Sequence, residues 1–259
     1  PWLEHAQAIK GRSSGRSIGL IDTVHLAEVA LATKRLGEQG ALPPEIYEGT
    51  VGWFREYLGW LNSHPFGLKE KNHPNNHSVA WSLQAAAFAT LVEDQALIAE
   101  IRGLFRDVYL PTMMAPDGSF PAETARTKPY GYSLFMLDLM AGVATLVSTQ
   151  ADNMWSLQRD DGRSISDMYG FIVPYIENPD DWPFPPDVQY GEYWPAQHAS
   201  LVLGAVALQQ PAWAELWLRL ETDKSVFEVM RNMPVRNVLL WLPAARSTLV
   251  RPSEETKPA

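Results

Sequence analysis

The polar stretch Lys71-Asn-His-Pro-Asn-Asn-His-Ser78 runs straight into an apolar helical pattern, Val79, Leu83, Ala86 and Ala87. Pro74 pushes the residue before it into an extended conformation, and Asn75 or Asn76 is a good N-cap, so His77 is expected in the first turn of a helix. Free backbone N–H groups and the macrodipole make that an electropositive place, one that favours an anion and the neutral form of an imidazole. A second polar run, Arg126-Thr-Lys-Pro-Tyr-Gly-Tyr-Ser133, opens another helix, with Pro129 placed as its first residue. An arginine, an amide, a histidine and two tyrosines, with no obvious pair of catalytic carboxylates beside them, suit β-elimination on a uronic acid polymer. That reaction needs the substrate carboxylate neutralised to acidify the C5 proton, a base to remove it and an acid for the leaving oxygen. One tyrosine can do the last two.

Those groups have to be brought together by helices. Apolar spacing predicts helices over 20–39, 44–61, 76–92, 94–108, 130–147, 164–176, 197–209, 212–220 and 225–233, with 235–242 as the only strand candidate. Residues 63–75, 111–128 and 178–196 read as loops, the stretch before residue 20 as a glycine- and arginine-rich loop, and the residues from Pro243 as a polar tail. Short joints near Gly40 and Glu93 make successive helices antiparallel neighbours. If the hairpins alternate, the helices starting near residues 20, 76, 130 and 197 begin at one end, and the long loops 1–19, 63–75, 111–128 and 178–196 converge on one face. The first three of these carry Lys10, Arg12, Arg16, Lys69, Lys71, Arg126 and Lys128 against Glu4, Glu70, Asp117 and Glu123, so the face is locally basic. The fourth is rich in Trp182, Phe184, Tyr190, Tyr193 and Trp194, a platform for sugar rings or a set of anchors for a long loop.

Composition narrows the classes. A chain of 259 residues with 46% hydrophobic content and 10 Trp has material for a large core. It contains no cysteine, which excludes disulfides and thiolate metal sites. The net charge of -9 argues against nucleic acid as a partner, but a locally basic cleft is compatible with an anionic substrate. No apolar run is read as a membrane span. The chain opens on Pro-Trp-Leu-Glu with no signal peptide in view, which points to a processed or truncated chain. His64, His73 and His77 lie in a loop without a clear carboxylate partner, so no metal site is expected, and no cofactor is called for.

The segment from His5 to Asp22 (HAQAIKGRSSGRSIGLID), the Asn75-Asn76-His77 triplet and Arg126 followed by Tyr132-Ser133 together resemble the alginate lyase superfamily, the α/α-toroid polysaccharide lyases of families 5 and 38. The resemblance spans about half the chain in the expected order. It implies an all-α, incomplete (α/α) toroid in a single domain over 1–242, with 243–259 as the tail. It also implies an anionic polysaccharide as substrate and a periplasmic or secreted location. Asn76 and Arg126 would neutralise the carboxylate, His77 would assist as neutraliser or base, and Tyr132 would transfer protons. Gln7, Arg12, Arg16, Asn75, Lys128, Tyr130, Tyr190, Glu192, Tyr193 and Trp194 are the expected substrate contacts. Tyr132 is followed by serine where the best-known bacterial pattern has histidine, which leaves mannuronan, glucuronan and mixed alginates open. Oligomeric state is not legible. Two other classes fit parts of the pattern: a glycoside hydrolase using two of Glu123, Asp187 and Glu192, and a non-catalytic polysaccharide-binding protein.

Overall fold

The computed structural model describes residues 3–242, and the polar tail lies outside them. A tight 3₁₀ segment, Ser17–Thr23, leads into α1 (Leu26–Glu38), α2 (Pro44–Ser63), α3 (Pro65–Lys71), α4 (Asn76–Val92) and α5 (Gln95–Leu104). A π-helical run, Phe105–Met113, continues α5. It is followed by α6 (Pro121–Thr124), α7 (Pro129–Val147), α8 (Ile165–Glu177), α9 (Ala199–Ala207), α10 (Pro211–Arg219), α11 (Phe227–Arg231) and α12 (Val238–Trp241). Among the described residues there is no strand, only two isolated bridges, Ile9 with Ser13 and Gln158 with Ser164. The chain is an all-α assembly of antiparallel hairpins.

Two helices set the centre. Both α4 and α7 are apolar around their whole circumference, and a helix of that kind has to be covered on every side. They pack on each other, with α1, α2 and α5 around α4 and with α8 and α9 against α7. Small residues allow the close approach: a Cβ added at Gly142 would sit 2.6 Å from the Leu83 side chain. The apolarity of α7 also corrects the membrane reading. Its 19 residues are long and apolar enough to span a bilayer, but 83% of that stretch is buried inside the protein, as expected of a core helix.

The helix starts read from sequence hold where a local cap exists. Asn75 accepts a hydrogen bond from the His77 N–H at 3.2 Å and starts α4, Pro129 starts α7, and Ser164 with Asp167 forms a capping box on α8. Five local readings change, one being that the expected loop 111–128 contains the short α6. The helix expected over 20–39 begins instead as the 3₁₀ segment, where Thr23 Oγ1 lies 2.7 Å from Gln84 Oε1, 2.8 Å from Tyr57 Oη and 2.9 Å from the Leu20 carbonyl. The expected loop 63–75 contains α3, because Pro65 occupies its first turn and His64 accepts from the Phe66 N–H. The helix read to end near 108 runs on to Met113 in π form, and the Arg163 guanidinium donates to the Pro111 and Met114 carbonyls, 2.7 Å each. The strand candidate 235–242 is a turn and α12, because the buried Glu28 carboxylate accepts from the backbone N–H groups of Arg236 and Asn237, the Asn237 amide and the Trp241 indole.

Candidate active site

Asn76 and His77 are the first two residues of α4, and their side chains line a cleft of about 140 Å³. Arg126 enters it from the turn before α7, Tyr132 and Phe135 from the first turns of α7, and Gln7, Ile18, Ile21 and Asp22 from the N-terminal segment. Arg231 and Asn232, at the end of α11, close the remaining side. The Arg126 guanidinium carbon lies 3.7 Å from the centre of the Tyr132 ring and the Lys128 ammonium 5.4 Å from it. Both cations therefore lie against the phenol ring.

Two buried carboxylates stand behind these groups. Glu123, on α6, has no exposed surface. Its Oε1 accepts from the Asn76 backbone N–H at 2.7 Å, and its Oε2 accepts from Asn76 Nδ2 at 3.0 Å and from Arg126 Nη1 at 2.8 Å. Burial raises its pKa above the ordinary glutamate value, and outweighs the opposing hydrogen bond from Asn76 and the charge of Arg126. Glu70, on α3, is also buried, and its Oε1 lies 2.6 Å from His77 Nδ1. With Nδ1 given to that carboxylate, Nε2 is the ring nitrogen left for the cleft. The histidine expected in the first turn of the helix is there, and it also has a carboxylate partner. His73 lies tilted beside it, with ring centres 4.9 Å apart, and burial holds the His73 pKa below its ordinary value, with the neighbouring His77 adding to the shift.

The sequence profile of the family described as alginate lyase matches residues 1–182. The chain belongs to the alginate lyase family. Solved structures of alginate lyases share its fold. An alginate lyase from Bacteroides ovatus superposes with a TM-score of 0.75 at 24% identity, over 90% of this chain and 62% of that one. A variant of alginate lyase A1-III complexed with a tetrasaccharide gives 0.56 at 18% identity, over 75% and 55% of the two chains. Alginate lyase A1-III from Sphingomonas species A1 gives 0.52 at 17% identity, over 74% and 60%. This alginate lyase family member thus spans 62% of the length of the Bacteroides ovatus protein. No curated protein matches it significantly.

Of the expected residues, the structure of this alginate lyase family member brings Asn76, His77, Arg126, Tyr132 and Gln7 to one cleft. The others do not line it. Arg12 and Arg16 are exposed and line no part of the cleft. Asn75 is engaged in capping α4, and Lys128 pairs with Glu228. Tyr130 is buried, donates to the Tyr175 carbonyl at 2.9 Å and does not line the cleft. Trp194 is buried against His198, with ring centres 5.7 Å apart, and lies outside the cleft. Tyr190 and Tyr193 lean on each other at 6.3 Å, and Glu192 is exposed on the same turn outside the cleft. The loop 178–196 reaches α7 through Asp187, which accepts from the Tyr130 and Gly131 N–H groups at 2.9 and 3.0 Å and so caps the helix. Asp187 is occupied in that cap and Glu123 in holding Asn76 and Arg126, so of the three acids considered for a hydrolase two are engaged with backbone and side-chain donors. His64 stacks on Trp60 at 4.4 Å, apart from the His73 and His77 pair, and among the described residues no group of three or more His, Asp or Glu is placed to hold a metal ion.

Sequence reading missed Glu70, Asp22, Arg231 and Asn232 as parts of the site. A signal for Glu70 existed, since Pro65 after His64 marks a helix start and the helix carries Glu70 toward His77. Arg231 has none: it reaches the cleft through Asp22, whose Oδ1 accepts from its Nε at 3.0 Å, a contact between the two ends of the described chain.

Proposed function

We propose that this chain is a polysaccharide lyase that cleaves a polymer of uronic acids, such as polymannuronate, mixed alginate or glucuronan, by β-elimination. The observation that carries the proposal is the meeting of Asn76, His77, Arg126 and Tyr132 in one cleft, with the guanidinium stacked on the phenol. Asn76 and Arg126 hold the substrate carboxylate, assisted by His77, and stabilise the charge that moves onto it as C5 loses its proton. The ionised Tyr132 oxygen takes that proton. The electron pair of the C5–H bond becomes the C4–C5 double bond, the C4–O4 bond breaks, and the proton passes to O4 of the departing chain. Tyr132 returns to its starting state, no water is consumed, and one product carries an unsaturated uronate at its non-reducing end. The supports are the family, the fold and the site chemistry; the tetrasaccharide in the A1-III complex is a ligand of that protein.

The test is a panel of polymannuronate, polyguluronate, mixed alginate and glucuronan, followed by the ultraviolet absorbance of the unsaturated product. Absorbance should rise on at least one polymer and on no neutral glucan. Activity on neutral polymers, or none on any acidic one, would refute the proposal.

A further inference from the structure

Asn76 and Arg126 are fifty positions apart and sit on different elements, one at the start of α4 and the other in the turn before α7. A single carboxylate joins them. We propose that Glu123 is the positioning residue that sets the orientation of both groups facing the substrate carboxylate, a role that rests on the lyase reading above.

Three features of the geometry carry this. Glu123 does not line the cleft, so it touches no substrate and acts only through its neighbours. It takes three hydrogen bonds on two oxygens, and it holds Arg126 at both ends, because its own backbone carbonyl accepts from the Arg126 N–H at 3.1 Å while its carboxylate accepts from the guanidinium. It also decides which way the Asn76 amide faces. An ionised carboxylate accepts only, so the Asn76 side chain must turn Nδ2 toward it, and Nδ2 keeps a second hydrogen for another acceptor. The anchored Nη1 leaves the other guanidinium N–H groups unspent, in a plane already stacked on Tyr132. One buried anion thereby fixes the amide, the cation and, through the cation, the distance from cation to phenol. A carboxylate without solvent exposure is costly to bury, and a merely space-filling residue at that position would be apolar.

Glu123→Gln tests the assignment, because it preserves volume. Its carbonyl oxygen still accepts from the Asn76 N–H, but its NH₂ group opposes two donors, the Asn76 amide and the Arg126 guanidinium. The amide must flip or move, and the guanidinium must swing away. We expect kcat to fall about a hundredfold per folded molecule, with a smaller change in KM, since misplacing a positioned group by about an ångström has that effect on turnover. A role confined to stability would lower the thermal midpoint and leave kcat per folded molecule unchanged. A kcat within about twofold of the unmodified protein overturns the proposal. If Glu123→Gln does not fold, Glu123→Asp takes its place; it keeps the charge but shortens the reach, and should lose about tenfold in kcat, with unchanged turnover again the contrary result. If the unmodified protein forms no unsaturated product from any polyuronate, the lyase reading fails by itself. Glu123 is then judged on a crystal structure of the Gln variant: displaced Asn76 and Arg126 side chains uphold the positioning role, and unmoved ones overturn it.

Discussion

Tyr132→Phe removes one oxygen from a half-buried side chain whose ring stays stacked under Arg126. If that oxygen carries the proton, turnover should fall by at least about a hundredfold while oligosaccharide affinity and the thermal midpoint stay near those of the parent, which calorimetry and steady-state kinetics can check. Glu70→Gln asks a different question of His77. Glutamine keeps a carbonyl that accepts from Nδ1–H but removes the charge behind the ring, so activity should drop at least about tenfold and the ring-nitrogen NMR shifts of His77 should move. Unchanged shifts and rates would remove Glu70 from the account. Glu123 is expected to contribute to the pH dependence. Its pKa is raised in the folded protein, so the folded chain binds that proton at higher pH than the unfolded chain does. The group's contribution to stability is therefore full below the ordinary glutamate value and is lost as pH rises through the raised one. Activity runs the other way. Protonation on the acid side weakens the grip on the Asn76 amide and Arg126 beside His77, so an acid limb should appear above the ordinary glutamate range and disappear in Glu123→Gln. Asn76, His77, Arg126 and Tyr132 were legible because they sit at helix starts, where type and spacing are informative. Glu123 was not readable as a partner, since what defines it is burial against another element, and Glu70 had only the helix start at Pro65 to signal it.

At the scale of elements, the site depends on two helix starts being held in register. Asn75 caps α4 through the same N–H group that fixes the backbone of His77. Asn75→Ala should therefore cost about 1 kcal/mol of stability in chemical denaturation and lower turnover as the first turn frays. No change in either would separate the cap from the site. Helices with a local signal, such as the proline at the start of α7 or the Ser164 and Asp167 box on α8, could be read from sequence. Elements fixed by distant partners could not. The π-helical run depends on Arg163 reaching back some fifty residues, and α12 depends on Glu28 more than 200 residues away. Glu28→Ala should release α12 and lower stability by roughly 2 to 4 kcal/mol, the range expected when several buried donors lose one shared acceptor.

At the scale of the molecule, the helices gather a cleft from both ends of the described chain, with the Asp22 to Arg231 ion pair across it. The basic rim expected from the loop residues is answered in part from within: Lys71 pairs with Glu100, Lys128 with Glu228 and Arg126 with Glu123. Attraction for an acidic polymer is then local and short in range, so added salt should weaken binding moderately and Arg126→Glu should nearly abolish it for acidic oligosaccharides while sparing neutral ones. The central claim, cleavage by elimination and not by addition of water, is tested most directly by mass spectrometry of the products from a defined uronate oligosaccharide. Elimination predicts that the fragment bearing the new non-reducing end is lighter by one water than the hydrolytic fragment, and that this signal vanishes with Tyr132→Phe. Fragments of the hydrolytic mass, from the parent protein and from Tyr132→Phe alike, would contradict it.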